Sequence, residues 1–372
     1  MRNRIIVFLR SQAVLCIAFA CACVSLVAAG DVSQVPGYID WRVIALLFCL
    51  MAAVAGLQKS GLMGHVARGL VRGRHSQRAV CFMLVMLPFF ASMLVTNDVA
   101  LITFVPLATL ALEAAGWHDR LAYVIVLQAV AANLGGMVTP VGNPQNLFIF
   151  TTYGLSAADF AAALAPFGLL AFAMTGLACL RCSREVSDVR IKRVDDPVDR
   201  KRVALHGALF AVGLLAVLRI LPWQAALALV AAALLAFDRQ IFRRVDYGLL
   251  ATFVCFFVFS GNMAHLPALG EWLSGLMASH PMLTSLLASQ VVSNVPASVL
   301  LAGFTQNWHS LLIGVDLGGL GTPIASLASL IALKLYLYAP GASTGAFMKV
   351  FALVNALFLA AMVGLYAVLY VL

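Results

Sequence analysis

Charge is scarce in this chain. Only 10% of its 372 residues are charged, and the 15 acidic residues are outnumbered by 24 basic ones. Long polar segments are missing as well. The longest runs from Arg181 to Arg202, too short to fold as a separate soluble domain. Nor is there a G-x-x-x-x-G-K-[ST] loop, an H-E-x-x-H or a G-x-S-x-G string. ATP-driven, zinc-dependent and serine-dependent chemistry are thus left without a motif, and no enzyme is expected.

What is present is apolar surface. Hydrophobic residues make up 63% of the chain, and its mean hydropathy is +1.00. A soluble fold cannot hide that much apolar area, so the composition predicts an all-α polytopic membrane protein with about nine to eleven spans. The eight cysteines sit mostly in apolar runs, where a free thiol packs as a small hydrophobe. The C-L-R-C at 179–182 lacks the second pair that a zinc site needs.

The net charge of +9 is not a nucleic-acid footprint. Nineteen of the 24 basic residues fall in four short segments, 2–10, 59–78, 181–202 and 239–244. That is the positive-inside pattern of cytoplasmic loops. It predicts a multi-pass protein of the inner (plasma) membrane with its N-terminus and basic loops in the cytoplasm. Residues 5–29 are expected to be a retained first span rather than a cleaved signal peptide.

The chain is organised around 133–146, N-L-G-G-M-V-T-P-V-G-N-P-Q-N. Proline removes a backbone donor, and glycine tolerates conformations that end a helix. In lipid, such backbone survives only where it lines a cavity or is held by protein. A second, weaker interruption, G-G-L-G-T-P-I-A-S-L-A-S, occupies 318–329, and its G-G-L-G-T-P lies 183 residues beyond the first G-G-M-V-T-P. Each is preceded by a polar tripeptide, T-N-D at 96–98 and S-N-V at 293–295. Two signals in the same order in both halves predict an internal repeat. Its arms are expected at about 41–180 and 204–372, joined by the cytoplasmic loop 181–202.

The predicted chain order follows. Trp41–Leu57 is a span, and Lys59–Arg78 carries a surface helix. Ala79–Val95 and Val99–Leu112 flank T-N-D, either as two crossings or as a re-entrant hairpin, and the repeat favours the hairpin. A broken helix covers Leu121–Phe150, and spans follow at Phe160–Leu180, His206–Ile220, Gln224–Phe237 and Tyr247–Met263. A surface helix covers His265–Pro281, a second hairpin Met282–Phe304, a second broken helix Ser310–Tyr338, and a last span Ala346–Val371. With the N-terminus inside, 22 of 24 basic residues fall on or near the cytoplasmic face, Arg42 and Arg219 excepted. The two repeats are then inverted. Paired interruptions in opposed halves point to a secondary transporter and its site.

At the strings M-L-V-T-N-D-V-A-L-I-T-F-V-P-L (93–107), 133–146, Q-V-V-S-N-V-P-A-S-V-L-L (290–301) and 314–329, the chain resembles the ion transporter superfamily. The likeness is to its citrate-transporter-like, arsenite-permease-like and NhaD-like branch. The resemblance implies a scaffold domain, a moving transport domain with two opposed hairpins and two unwound helices, and a homodimer. It carries the substrate and ion site to Thr96 and Asn97 in one half and to Ser293 and Asn294 in the other. The unwound segments map to Thr139, Pro140, Gly142 and Asn143, and to Thr322, Pro323 and Ser326. Divalent-anion/sodium symporters of this superfamily carry S-N-T at both tips; here Asp98 and Val295 stand in place of the threonines. The acidic residue brings the first tip closer to the arsenite-permease and antiporter side.

The residues themselves support a site. Asn97 and Asn294 offer carbonyl oxygens for a sodium ion, and helix N-termini at the breaks offer N–H groups to an anion. Capping of the hairpin helices is the alternative role for both. Asp98 reads equally as an N-cap of the following helix and as a proton or cation carrier, since a carboxylate within apolar surroundings needs a partner. Asp316 reads first as a cap and second as a cation ligand. Gln145 and Asn146 are placed to read a solute, and His206 is expected at the interface. The sequence thus predicts a secondary active transporter for a small anion, carboxylate or citrate-like, coupled to Na+ or H+. A Na+/H+ antiporter or an arsenite-type oxyanion exporter using Asp98 is the alternative.

Overall fold

The computed structural model describes residues 13–29, 32–189, 198–264 and 267–372. The start of the first span, the middle of the loop 181–202 and His265 lie outside the described residues. The described chain is almost wholly helical. It begins with α1 (Ala13–Ala29), the short α2 (Val35–Tyr38), α3 (Trp41–Lys59) and the surface helix α4 (Leu62–Val71). The first hairpin is α5 (Gln77–Ala91) and α6 (Asn97–Ala114), and the first broken helix is α7 (Leu121–Gly136) and α8 (Pro144–Thr152). Then come α9 (Ala157–Cys179), α10 (Arg200–Val217), α11 (Trp223–Phe237), α12 (Tyr247–Ala264) and α13 (Pro267–Ser279). The second hairpin is α14 (Pro281–Val292) and α15 (Asn294–Ala302), the second broken helix is α16 (Trp308–Leu317) and α17 (Leu327–Tyr336), and α18 (Thr344–Tyr370) is last.

Both interruptions and both hairpins therefore occur where the sequence puts them. Among the described residues, four helices (α3, α6, α9 and α18) are individually long and apolar enough to cross a membrane. At about 1.5 Å per residue, α5 and α14 reach roughly 22 and 18 Å, short of a hydrocarbon core of about 30 Å. Arms of that length suit re-entrant hairpins better than full crossings, although α6, the partner of α5, is long enough to cross. Large side chains on the outer surface, such as Leu169, Leu229, Val291 and Leu353, are exposed and apolar, as a lipid-facing surface requires.

One element was not foreseen. Gly73–Ser76 (β1) pairs antiparallel with Val186–Val189 (β2), Gly73 opposite Val189, and ties the two basic loops together. Arg78 reinforces the join by donating to the carbonyls of Leu180 (2.7 Å) and Cys182. Pairing between loops over a hundred residues apart leaves no local periodicity to read.

The His206 side chain, near the basic loop, is fully buried against Gly56, where a Cβ would overlap the imidazole. Its Nε2 sits 3.5 Å from Asp238. Asp238 also accepts from Arg202 Nε at 2.8 Å and faces Lys59 at 3.6 Å. Burial pushes the Asp238 carboxyl up, but the Arg202 hydrogen bond and the Arg202 and Lys59 charges outweigh it and hold the group below its ordinary value. The cluster pins together the ends of α3, α10 and α11.

Small residues bring the hairpins onto the broken helices. A Cβ at Gly135 would overlap the Phe89 carbonyl of α5, and one at Gly314 would meet the Met282 carbonyl of α14. Such close backbone approach is how helices pack where no hydrophobic drive separates them from lipid. The halves also exchange partners: α17 packs on α6, and α8 packs on α15. Gly135→Ala should lower stability by about 1–3 kcal/mol, because the obstructing atom is backbone and cannot swing away. Thermal unfolding of the purified protein reads this directly, and an unchanged midpoint would contradict the α5–α7 contact.

Candidate solute and ion site

The interruptions expose carbonyls that no helix bonds, and buried amides collect them. Asn146 Nδ2 donates to the carbonyls of Gly136, Met137 and Thr139 at 3.1–3.3 Å. In the other half, Gln290 Nε2 donates to Gly318 (2.8 Å) and Leu320 (2.9 Å), while its Oε1 accepts from Thr322 N–H at 2.8 Å. Pro88 inside α5 frees the Leu84 carbonyl four residues back, and Gln128 Nε2 takes it at 2.8 Å. These bonds replace the missing helical ones and hold each break in one shape.

One further amide ties the first tip to the second break. Asn97 Nδ2 donates to Asn133 Oδ1 at 2.7 Å, and Ser326 Oγ donates to the same oxygen at 2.9 Å. Asn133 Nδ2 in turn reaches the Gly319 carbonyl at 3.3 Å. Asn294 stands beside Gly319, where a Cβ would lie 2.9 Å from its Nδ2. Asn133 thus joins the first tip, the first broken helix and the second break. The tips differ in shape. Thr96 enters α6 with ordinary extended backbone, whereas Ser293 turns the second hairpin alone at φ +75°, a conformation that favours glycine. The Asn294 N–H and the Ser293 hydroxyl both donate to the Ala325 carbonyl, at 2.9 and 3.3 Å, which holds that strained turn against the second break.

Between these elements lies a cavity of about 180 Å³. That is below the roughly 300–1,000 Å³ of drug-sized ligand sites and leaves room for a small solute. Asn97 and Asp98 line it from α6, Pro144 and Gln145 from α8, Ser293–Pro296 from the second tip and α15, and Ser326, Leu327 and Leu330 from α17. Asp246, Gly248, Leu249 and Thr252 close it from the start of α12, and Asp246 caps that helix through Leu249 N–H at 3.0 Å. Five helices therefore turn their N-terminal ends toward one space. At four of them, α6, α8, α15 and α17, the N-cap side chain makes no capping bond. At α6 and α15, however, Asn97 Oδ1 and Asn294 Oδ1 accept from the Asp98 and Val295 N–H groups at 2.9 Å, so both asparagines do cap their helices, and it is the converging positive dipole ends that suit an anion.

The same wall contains two carboxylates, Asp98 and Asp246, and no basic side chain. A site free of formal charge, which the asparagines alone suggest, is therefore not what the fold builds. Asp98 Oδ1 is shielded and has no hydrogen-bond partner. An anion entering here needs accompanying positive charge.

Of the residues singled out in the sequence, Asn97, Asp98, Gln145, Ser293, Asn294 and Ser326 reach the cavity, whereas Asn146 braces the first break. Thr96, Thr139, Pro140, Gly142, Asn143, Thr322 and Pro323 are not in its lining. Thr139 Oγ1 instead donates to the Met93 carbonyl and accepts from Gly142 N–H at 3.1 Å, and Thr322 Oγ1 donates to the Gln290 carbonyl at 3.2 Å. Asn143 packs on Gly136, leaving no room for a Cβ there. These residues shape the breaks. Asn133, Asp246 and Thr252 were missed. Asn133 opens the 133–146 string and could have been found by extending the repeat alignment two residues upstream. Asp246 carried only the ordinary signal of a cap.

Asp316 is not a cap. It lies in the last turn of α16, is 3% exposed, and accepts from Gln145 Nε2 at 2.9 Å.

Asn133→Ala should strand the Asn97 and Ser326 donors and cost about 1–3 kcal/mol of stability. A denaturation midpoint equal to wild type would show that the three-way junction carries no structural weight.

Comparison with known proteins agrees with this architecture. The family model described as citrate transporter matches residues 5–309. The inner membrane protein YbiR of Escherichia coli (strain K12) is 32% identical over 308 residues, 81% of each chain. An uncharacterized transporter of Methanocaldococcus jannaschii is 30% identical over 298 residues, 80% of this chain and 81% of its own. Among solved structures, the Alcanivorax borkumensis YdaH transporter matches with a TM-score of 0.58 at 15% identity, covering 90% of this chain and 87% of its own, a likeness of fold alone. The family is one of transporters, not enzymes, and the chain belongs to this citrate transporter family of multi-pass membrane proteins.

Proposed function

We propose that the chain moves a small anion, carboxylate-bearing and citrate-like, across the membrane in company with Na+ or H+. The observation that carries this reading is the composition of the cavity wall. Converging helix N-termini supply positive dipole ends for an anion, while Asp98 and Asp246 demand a cation in the same space. Binding of each then favours the other, which is the thermodynamic core of symport. Asn97 and Asn294 supply the uncharged oxygen ligands for sodium. The hairpins and broken helices form the part that shifts against a scaffold of α1, α3 and α10–α12. The repeat arms at about 41–180 and 204–372 are inverted, and the N-terminus and basic loops face the cytoplasm of the inner membrane. A homodimer follows from the resemblance alone.

The second reading is a Na+/H+ antiporter or an oxyanion exporter with Asp98 as carrier. The absence of any basic residue from the cavity lining favours it. A rice (Oryza sativa subsp. japonica) protein named silicon efflux transporter LSI3 is 31% identical over 129 residues, 34% of this chain.

Counterflow of labelled citrate in proteoliposomes tests the first reading. Asn97→Ala and Asn294→Ala should each reduce exchange to the protein-free background while the protein remains folded; wild-type exchange in both would reject the site. Asp98→Asn separates the readings. Antiport driven by a proton gradient should be lost, whereas sodium-driven anion uptake should persist with weaker sodium dependence, because Asp246 remains in the wall.

A further inference from the structure

A second cavity, of about 570 Å³, lies apart from the solute site, where the α13–α14 turn, the start of α16 and the end of α18 come together. His280 lines it from the turn, Asn307 and His309 from the start of α16, and Tyr366 and Tyr370 from α18. Its level in the bilayer follows from α12. That helix starts beside the basic segment 239–244 and has 18 residues, roughly 27 Å, close to the thickness of a hydrocarbon core. From its far end α13 leads straight into the turn at His280. The cavity therefore sits near the membrane surface opposite the basic loops. Trp272 on α13, which is exposed, and Trp308 beside His309 are of the residue type that settles at that boundary.

The polar part of the lining offers donors and contains no acid. No Asp, Glu, Lys or Arg side chain borders the cavity, in contrast to the solute site with its two carboxylates. Asn307 caps α16 through its oxygen, which accepts from Ser310 N–H at 3.1 Å, and its NH2 is left over. The His309 ring is held by edge-on contacts, 4.6 Å from the Tyr370 ring and 5.4 Å from that of Trp308. Neither imidazole bonds a described residue, and the Tyr370 hydroxyl does not either. Two helices, α14 and α16, begin at the cavity and one, α18, ends there, so the dipole ends favour negative charge on balance.

Beside this recess the surface is apolar. Leu283 borders the cavity, and Leu287 and Val291 follow at four-residue intervals on the same face of α14. All three are exposed, as are Val368 and Val371 at the end of α18. A donor-lined recess thus opens onto an apolar stripe about 12 Å long. A free anion would leave the stripe uncovered, and an acyl chain alone would bury donors without partners. An amphiphile with an acceptor-rich head satisfies both parts, and the volume suits a small-molecule head.

The geometry points to a phospholipid site. The phosphate of one membrane lipid is held by His280, Asn307, His309 and Tyr370, and an acyl chain lies along Leu283, Leu287 and Val291. The bound lipid ties together the first turns of α14 and α16, which lead to the second tip and the second break. It is separate in place and in chemistry from the solute cavity.

Thermal unfolding with defined additives tests this. The full chain is delipidated in detergent and melted with dioleoylphosphatidylglycerol, with dioleoylglycerol, which has the same chains and no phosphate, or with inorganic phosphate. Phosphatidylglycerol should raise the midpoint by several degrees, and the other two should not. An equal rise with dioleoylglycerol overturns phosphate recognition. A rise with inorganic phosphate alone overturns the lipid as its source. His280→Ala/His309→Ala should lose most of the rise, and full retention overturns the site. If loss of the His309 ring contacts prevents folding, Tyr370→Phe keeps both rings and removes one donor. Its phosphatidylglycerol half-saturation should increase about three- to tenfold, and an unchanged value overturns the assignment. Phosphatidylglycerol carrying a photoreactive acyl chain should label the wild-type protein chiefly on α14 and the end of α18. Labelling spread evenly over the lipid-facing helices would refute a specific site.

Discussion

Backbone polar groups freed from a helix inside apolar surroundings have to find partners, and this constraint shapes the molecule. Water cannot satisfy them at that depth, so protein does. Asn146 gathers three carbonyls of the first break, Gln290 gathers two of the second, and Gln128 takes the one released by Pro88. Each is a long amide from a neighbouring segment. The breaks are therefore rigid, and rigidity lets them present N–H groups to a solute.

A site assembled from helix ends has a characteristic charge balance. N-termini supply diffuse positive potential without basic side chains, so they attract an anion yet do not neutralise it fully. Asp98 and Asp246 in the same wall tilt the balance negative. The cavity is then poorly suited to an anion alone and well suited to an ion pair. Transport coupled to a cation needs such a conditional site, since a pocket that held the solute equally well without the cation would leak.

Two kinds of contact hold the helices together. Phe148 of α8 meets Phe253 and Phe257 of α12 at 6.3 and 5.7 Å, an aromatic contact free of hydrogen bonds between the broken helix and its neighbour. By contrast, the Asp238 cluster locks α3, α10 and α11 with ion pairs.

Much of this was legible in the residues. Composition determined a helical membrane protein, because no other architecture tolerates such apolar content. Gly and Pro within hydrophobic runs determined both breaks, and the paired asparagines determined the tips, because each acts on its own few neighbours. Local chemistry of that kind survives in one dimension. Only the tertiary structure decided which polar groups meet. It turned Thr139 and Thr322 into braces, drew Asp246 in from a loop some 150 residues from Asp98, buried His206, and set Asp316 against Asn143. Contacts between distant segments leave no period in the sequence, so the charge of the cavity could not be counted until the chain had closed around it.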